Sequence, residues 1–492
     1  MTITGSDRET GGPAARPRPH SHVRDRTFVG GQWREPAGDS WLPVHDCSTE
    51  VEIGTVRSST AADVDLAVRA AQDAFAGWRA ATPEARGEAL LRLHRELTGR
   101  ADELAAVIAA EVGTALGMSK AIQVTSALDQ LASLANLAST EPTTEEIANT
   151  LVVHEPVGVV GAITPWNYPL FQTVVKVAAA LAAGCPVVHK PSELAPLSTF
   201  ILAEAVAAAG LPDGVYNVVT GAGPTVGEAL VSHPGVRMVS FTGSTTAGTR
   251  VYSLAAQSVK RVALELGGKS ASVLLDDADL PRAVKTSVNR AFLNSGQTCD
   301  AWSRLLVPRH RLADVLELAA AAARRLTLGD PFAPDTRLGP LVSARQRARV
   351  CGYISGAERA GARVVTGGAD RPAGFDRGHY VEPTVLGDVT AGMAVAREEV
   401  FGPVLAVLAY DSEAEAVGLA NATAYGLSGA VWSADPARAL AFARRMDAGQ
   451  IVINGGRFNP LAPFGGTKQS GIGREMGKYG MAEFREPTAY QR

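Results

Sequence analysis

Cysteine is scarce. Four thiols in 492 residues, Cys47, Cys185, Cys299 and Cys351, exclude a disulfide-built scaffold, and none has CxxC spacing. Lysine is scarce too, with eight lysines among 47 basic residues. Those bases nearly balance 50 acids, and a net charge of -3 gives no whole-chain steering toward nucleic acid. The nine histidines are scattered, without an HExxH pair or a Cys/His series, so no metal centre is expected. A GxSxG elbow and a Walker loop are also missing. No apolar run reads as a membrane span, because the Val/Ala-rich stretch from Val174 is broken by Lys176 and closes at Gly184 and Pro186. The opening MTITGSDRETGGPAARPRPH has no apolar stretch that would serve as a signal peptide. These absences predict a cytoplasmic protein in a reducing compartment, with no membrane or nucleic-acid partner.

What is present is a large apolar fraction, 46%, in a chain long enough for about three structural units. Residues 1–26 lack periodicity and are expected to form a mobile tail or peripheral arm. Thr60 and Asp63 have capping-box spacing, and Val64, Ala67, Val68, Ala71 and Phe75 share one helical face. A second helix is expected after Thr82 and Pro83. From residue 151 short apolar runs alternate with helical stretches. Strands are predicted at 157–163, 186–189, 215–219 and 237–241, with helices over 171–183 and 192–209. The strands show little period-two alternation, the pattern of a parallel sheet covered on both faces. A second such series runs from 262 to 409. Residues 134–149 and 481–490 fit neither series, so they are expected to pair with each other, with a main sheet or with another subunit.

Several residues carry chemical interest. Cys299 ends Asn294-Ser295-Gly296-Gln297-Thr298-Cys299, where a glycine permits an unusual backbone and polar neighbours support a thiolate; the alternative is an ordinary buried thiol. Glu265, in an apolar run ending at Gly267 and Gly268, is either a base with a raised pKa or a paired structural carboxylate. Asn167, between two prolines, is either an oxyanion donor or a loop fastener. The segment 221–227 misplaces a glycine for the GxGxxG fingerprint. Gly243 and Ser244, at a strand-to-helix junction, are a better phosphate cradle. Lys190 and Glu193 mark another junction, with a cation and an acid suited to a ribose.

Taken together, PWNYP at 165–169, KPSE at 190–193, FTGS at 241–244, LELGGK at 264–269, GQTC at 296–299, EEVFGP at 398–403 and PFGGTKQSGIGRE at 463–475 resemble the NAD(P)-dependent aldehyde dehydrogenase superfamily, from about Phe28 onward. The resemblance implies an α/β fold of two parallel-sheet domains plus a small β oligomerisation arm. It divides the chain into a cofactor domain (27–130 and 151–264), a catalytic domain (265–464), and an arm with C-terminal segment (131–150 and 465–492). It implies Cys299 as nucleophile, Glu265 as general base and Asn167 as oxyanion donor. Lys190 and Glu193 are placed by it at the adenosine ribose, Trp166, Gly243 and Ser244 at the pyrophosphate, and Glu399 and Phe401 at the nicotinamide ribose. Lys176 and Glu475 match a proton-relay pair, with a purely structural ion pair as the alternative.

The implied reaction is non-acylating oxidation of a small-molecule aldehyde to its acid through a thiohemiacetal and a thioester. NAD is favoured over NADP, because Glu193 would repel a 2′-phosphate. The substrate pocket maps to Tyr168, Val175, Leu293, Thr298, Asp300, Phe458 and Phe464. Asp300 suggests an amino- or hydroxy-aldehyde, whereas Arg457 suggests a carboxylated one; the alternative for each is a structural or solvent-facing charge. Trp302 is expected in the core. A homodimer or homotetramer is implied. Competing readings are hydrolysis of activated esters through Cys299 and a noncatalytic structural or redox role.

Overall fold

The computed structural model describes residues 22–492. Most of the expected tail lies outside them, but its last part is structured. His22–Arg24 is a strand parallel to Glu52–Arg57, and Arg24 pairs with Glu204 at 2.6 Å and lies 5.4 Å from the Phe200 ring centroid. A three-residue strand has too little sequence to show a period, so the expected tail runs a few residues too far.

The two helices expected before residue 100 are Ala61–Ala80 and Pro83–Gly99. Thr60 N–H donates to Asp63 at 2.7 Å, and Thr82 accepts from Ala85 N–H at 3.2 Å. Val64, Ala67, Val68 and Ala71 are buried as predicted. Phe75 is only half-buried, and Trp78 completes the face, its indole donating to the Leu181 carbonyl at 3.1 Å.

The first main sheet runs, edge to edge, Tyr216–Val218, Val187–Lys190, Val160–Ile163, Met238–Thr242, Arg261–Glu265 and Gly471–Ile472. The first five are parallel and the last is antiparallel. In chain order those five read 3-2-1-4-5, which is a doubly wound sheet with a switch point between Val160–Ile163 and Met238–Thr242. The second sheet has seven strands, in the order Arg363–Thr366, Thr384–Gly387, Val404–Tyr410, Arg304–Pro308, Ala271–Leu274, Ser428–Trp432 and Gln450–Ile453. Only its first edge strand is antiparallel. The central strands of both sheets are buried along their whole length, which is why their sequences lack alternation.

A third, antiparallel sheet joins Arg485–Gln491, Thr150–Pro156 and Thr144–Ile147. The two unplaced segments share this sheet but do not pair with each other, since Thr150–Pro156 lies between them, and the expected arm boundaries need correction. Ser126–Thr140 is a helix whose Leu131, Leu134 and Ala138 are buried in the first core, so the 131–150 arm loses its first half. Residues 150–156 belong to the arm sheet rather than to the first α/β unit. Gly471–Ile472 extends the first sheet instead of the arm. The predicted helix over 192–209 begins at Leu197, because Pro196 disfavours helical backbone at the residue before it. No helix of the described residues is long and apolar enough to cross a membrane.

Candidate active site

The switch point opens a cleft where the carboxyl ends of the first sheet face the second α/β unit. Trp166 and Asn167 follow one flanking strand, Gly243 and Ser244 the other, and Leu266 and Gly267 the next. Cys299, Gln346, Glu399 and Phe401 close it from the opposite side, around a volume of ~450 Å³. Residues from five of the seven recognised motifs thus line one space.

Two glycines bring the motifs together. A Cβ on Gly267 would lie 2.5 Å from the Glu399 carboxylate, and one on Gly268 would lie 2.5 Å from the Cys299 carbonyl oxygen. Gly268 N–H donates to Glu399 at 3.1 Å. Burial pushes the Glu399 carboxyl up to about 7.

The approach to Cys299 is unusual. Asn294, Ser295 and Gly296 follow one another at φ of 52°, 58° and 72°, a left-handed run that costs about 1–2 kcal/mol per non-glycine residue. Side-chain bonds hold it. Ser295 donates to the Gly339 carbonyl at 2.8 Å, Gln297 Nε2 to the Asn294 carbonyl at 3.2 Å, and Val342 N–H to Gln297 Oε1 at 2.9 Å. Asn167 Nδ2 donates to the Gln297 carbonyl at 3.0 Å. An amide nitrogen has two N–H groups, so Asn167 keeps one for the cleft.

Burial, then the charges of Asp300, Glu265 and Glu399, push the Cys299 thiol well above its ordinary range. Glu265 is 3% exposed and its Oε2 has no partner among the described residues. Burial and, next, Glu475 raise its carboxyl well above the usual range, while Lys176 opposes them. Lys176 Nζ donates to Glu475, and both are buried. The predicted Lys176–Glu475 contact is thus present beside Glu265.

On the predicted cofactor side, Lys190 is 3% exposed and donates to the Pro191 carbonyl at 2.8 Å and to Glu193 at 3.4 Å. Glu193 stays open to solvent. Ser244 caps the twelve-residue helix Thr245–Ala256 through Ala247 N–H at 3.3 Å. Phe401, at φ 61°, meets Trp166 edge-on with centroids 5.4 Å apart.

On the other side of the thiol lies an apolar cluster of Val175, Leu427, Phe464 and Met476, with Phe171 and Cys299 packed against it. Tyr168 hydroxyl lies 3.0 Å from that of Thr298, which donates to the Leu293 carbonyl at 3.1 Å. Asp300 is engaged by Arg290 at 3.3 Å, and that guanidinium covers Trp302 at 5.3 Å. Trp302 is buried in the core as expected. Arg457 and Phe458 remain exposed, so they are not gathered into the apolar cluster. Phe171, Leu427 and Met476 were not singled out from sequence, nor were Thr114 and Gln123. No motif marks them, although Met476 adjoins one.

The chain belongs to the aldehyde dehydrogenase family, whose model matches residues 33–489, as the seven motifs led us to expect. A 3-succinoylsemialdehyde-pyridine dehydrogenase from a Pseudomonas species is 45% identical over 463 residues, covering 94% of this chain and 97% of the relative. Among solved structures, a mutant aldehyde dehydrogenase C from Pseudomonas syringae, in complex with NAD+ and octanal, superposes with a TM-score of 0.94 at 45% identity, covering 95% of this chain and 96% of that one. The Mycobacterium tuberculosis aldehyde dehydrogenase in complex with NAD+ gives the same TM-score at 39% identity, covering 96% of this chain and 99% of that one. The fold is that of the family, and the activity class is aldehyde dehydrogenase.

Proposed function

We propose that this chain oxidises an aldehyde to its carboxylic acid, with Cys299 as nucleophile, Asn167 as oxyanion donor and Glu265 as base. The carrying observation is that Cys299, the half-used amide of Asn167 and motif residues from both α/β units line a single cleft. A raised thiol pKa means that the sulfur needs a proton acceptor, and the orphan oxygen of Glu265 suits that role. The thiolate adds to the aldehyde carbon, and the spare Asn167 N–H stabilises the oxygen of the thiohemiacetal. Loss of a hydride from the thiohemiacetal to a bound oxidant would leave the thioester, and Glu265, once it has handed on the thiol's proton, deprotonates water for hydrolysis of that thioester, which makes the enzyme non-acylating. Lys176 and Glu475 offer that proton a buried exit.

The cleft residues fit a dinucleotide: Ser244 begins a helix whose N-H groups favour phosphate, Lys190 and Glu193 suit a ribose, and Glu399 and Phe401 stand at the Cys299 end. NAD, when bound, supplies the hydride acceptor. The carboxylate of Glu193 favours NAD by repelling a 2′-phosphate. The first α/β unit serves as the cofactor domain and the second as the catalytic domain, while the open edges of the arm sheet support a dimer or a dimer of dimers.

The apolar cluster favours a medium aliphatic or aryl aldehyde, in keeping with the octanal and pyridine semialdehyde named for relatives. Asp300, neutralised by Arg290, is a weak anchor for a cationic substrate. NADH absorbance with aliphatic, aryl, amino- and carboxy-aldehydes tests this reading, with NADP and Cys299→Ala as controls. Cysteine-dependent NADH formation, strongest with octanal or benzaldehyde, is expected. Turnover that survives Cys299→Ala would overturn it.

A further inference from the structure

We propose that Gln123 is a positioning residue for Asn167, acting through the backbone carbonyl of that asparagine; this rests on the reading of Asn167 as oxyanion donor. Gln123 lies in the π-helical turn Ser119–Thr125, which runs into the helix Ser126–Thr140. Insertions of this kind recur at functional sites because they displace a side chain from the regular helical face.

Gln123 is 0% exposed. Its Nε2 donates to the Asn167 carbonyl at 2.9 Å and to Thr114 Oγ1 at 3.2 Å. Thr114 donates to Asn294 Oδ1 at 2.5 Å, and Asn294 Nδ2 donates to the same Asn167 carbonyl at 3.0 Å. Gln123, Asn167, Asn294 and Thr114 therefore close a ring of four hydrogen bonds. The ring ties the π-helical turn to the loop that carries the oxyanion donor and to the left-handed run that leads to Cys299.

An oxyanion donor is effective when it is aimed before charge develops. One bond to the Asn167 carbonyl leaves its peptide free to rock about that bond, and the second removes the freedom. Without Gln123 the remaining clamp is Asn294 Nδ2, which also leans toward the Gln297 carbonyl at 3.4 Å. Packing alone gives a contrary expectation. A methionine of similar size fills the same space but loses the two bonds from Nε2, so a merely structural role lowers stability and leaves the kcat of the folded enzyme unchanged.

The test uses full-length wild type, Gln123→Met, Gln123→Leu, Asn167→Ala and the double variant of each Gln123 substitution with Asn167→Ala. Octanal oxidation with NAD, hydrolysis of p-nitrophenyl acetate and the melting temperature are measured for each. Ester hydrolysis needs the thiol and the oxyanion donor but no cofactor. Gln123→Met is expected to lower kcat about tenfold in both reactions at a temperature well below its Tm, with KM within about threefold. In the Asn167→Ala background it should cost nothing further. An unchanged kcat, or a loss that multiplies fully with that of Asn167→Ala, would overturn the proposal. Should Gln123→Met fail to fold, Gln123→Leu removes the same donor and decides by the same two criteria, compared with its own double variant with Asn167→Ala. Wild type that hydrolyses the ester with this pattern but oxidises no aldehyde would defeat the dehydrogenase reading and leave the positioning role standing.

Discussion

The loop that delivers Cys299 and the segment between Gln450–Ile453 and Phe464, to which the family resemblance assigned part of the substrate pocket, are built by opposite means. Residues 294–298 are buried, left-handed at three successive positions and held by side-chain bonds from several elements. Residues 456–459 are exposed, with Phe458 at 46% and Leu461 just beyond at 59%. Geometry around the thiol is over-determined, whereas the exposed segment is free to vary its side chains. Chemistry of this kind tolerates little displacement, and substrate choice gains from a surface that changes cheaply.

Removing the thiol should have the largest effect: Cys299→Ala is expected to lower NADH formation by roughly 10⁴-fold or more without loss of fold, read by activity and circular dichroism. Gly296→Ala attacks the same loop through its backbone. The new Cβ would overlap the Gly402 carbonyl, at a φ of 72°. A loss of about 2–4 kcal/mol in denaturant unfolding is expected.

Glu265 sharpens the comparison by pH. A base whose carboxyl is raised is protonated over a wider range, so thioester hydrolysis should climb with pH through that raised value. Glu265→Gln should flatten the climb and slow turnover about 10²-fold. Glu399, raised to about 7, should make the KM for NAD change around neutrality, and Glu399→Gln should remove that inflection. The smallest effect belongs to the exposed segment. Arg457→Ala and Phe458→Ala should alter KM for carboxylated or bulky aldehydes by no more than about tenfold, leave kcat alone and keep stability within about 0.5 kcal/mol.

The same contrast governs what could be read from sequence. Buried parallel strands announced themselves by unbroken apolar runs. Cys299, Asn167 and Glu399 stood in local motifs, and the cleft does bring them together. Gln123 escaped notice because Asn167, to which it donates, and Asn294, which donates to the same carbonyl, are far away in sequence, and a lone glutamine on a helix has no signature. The arm boundaries slipped because Ser126–Thr140 and Thr144–Ile147 are adjacent in the chain but serve different layers. The pairing of Asp300 with Arg290, ten residues away on the preceding helix, carries no motif of its own.

Residues 471–491 contribute to all of this from a great distance along the chain. Gly471 sits opposite Glu265 in the first sheet, and Glu475 meets Lys176 across 299 residues. At a synthesis rate of about 5–20 residues per second, Lys176 waits roughly 15–60 s for its counter-ion. Its helix, Pro169–Ala183, is otherwise almost wholly apolar, so during that interval it has an unmatched ammonium on a face destined for the interior. The order of translation thus withholds the Gly471–Ile472 strand and that counter-ion until residue 475 has been made, and a chain stopped short of it lacks the Lys176–Glu475 pair beside Glu265.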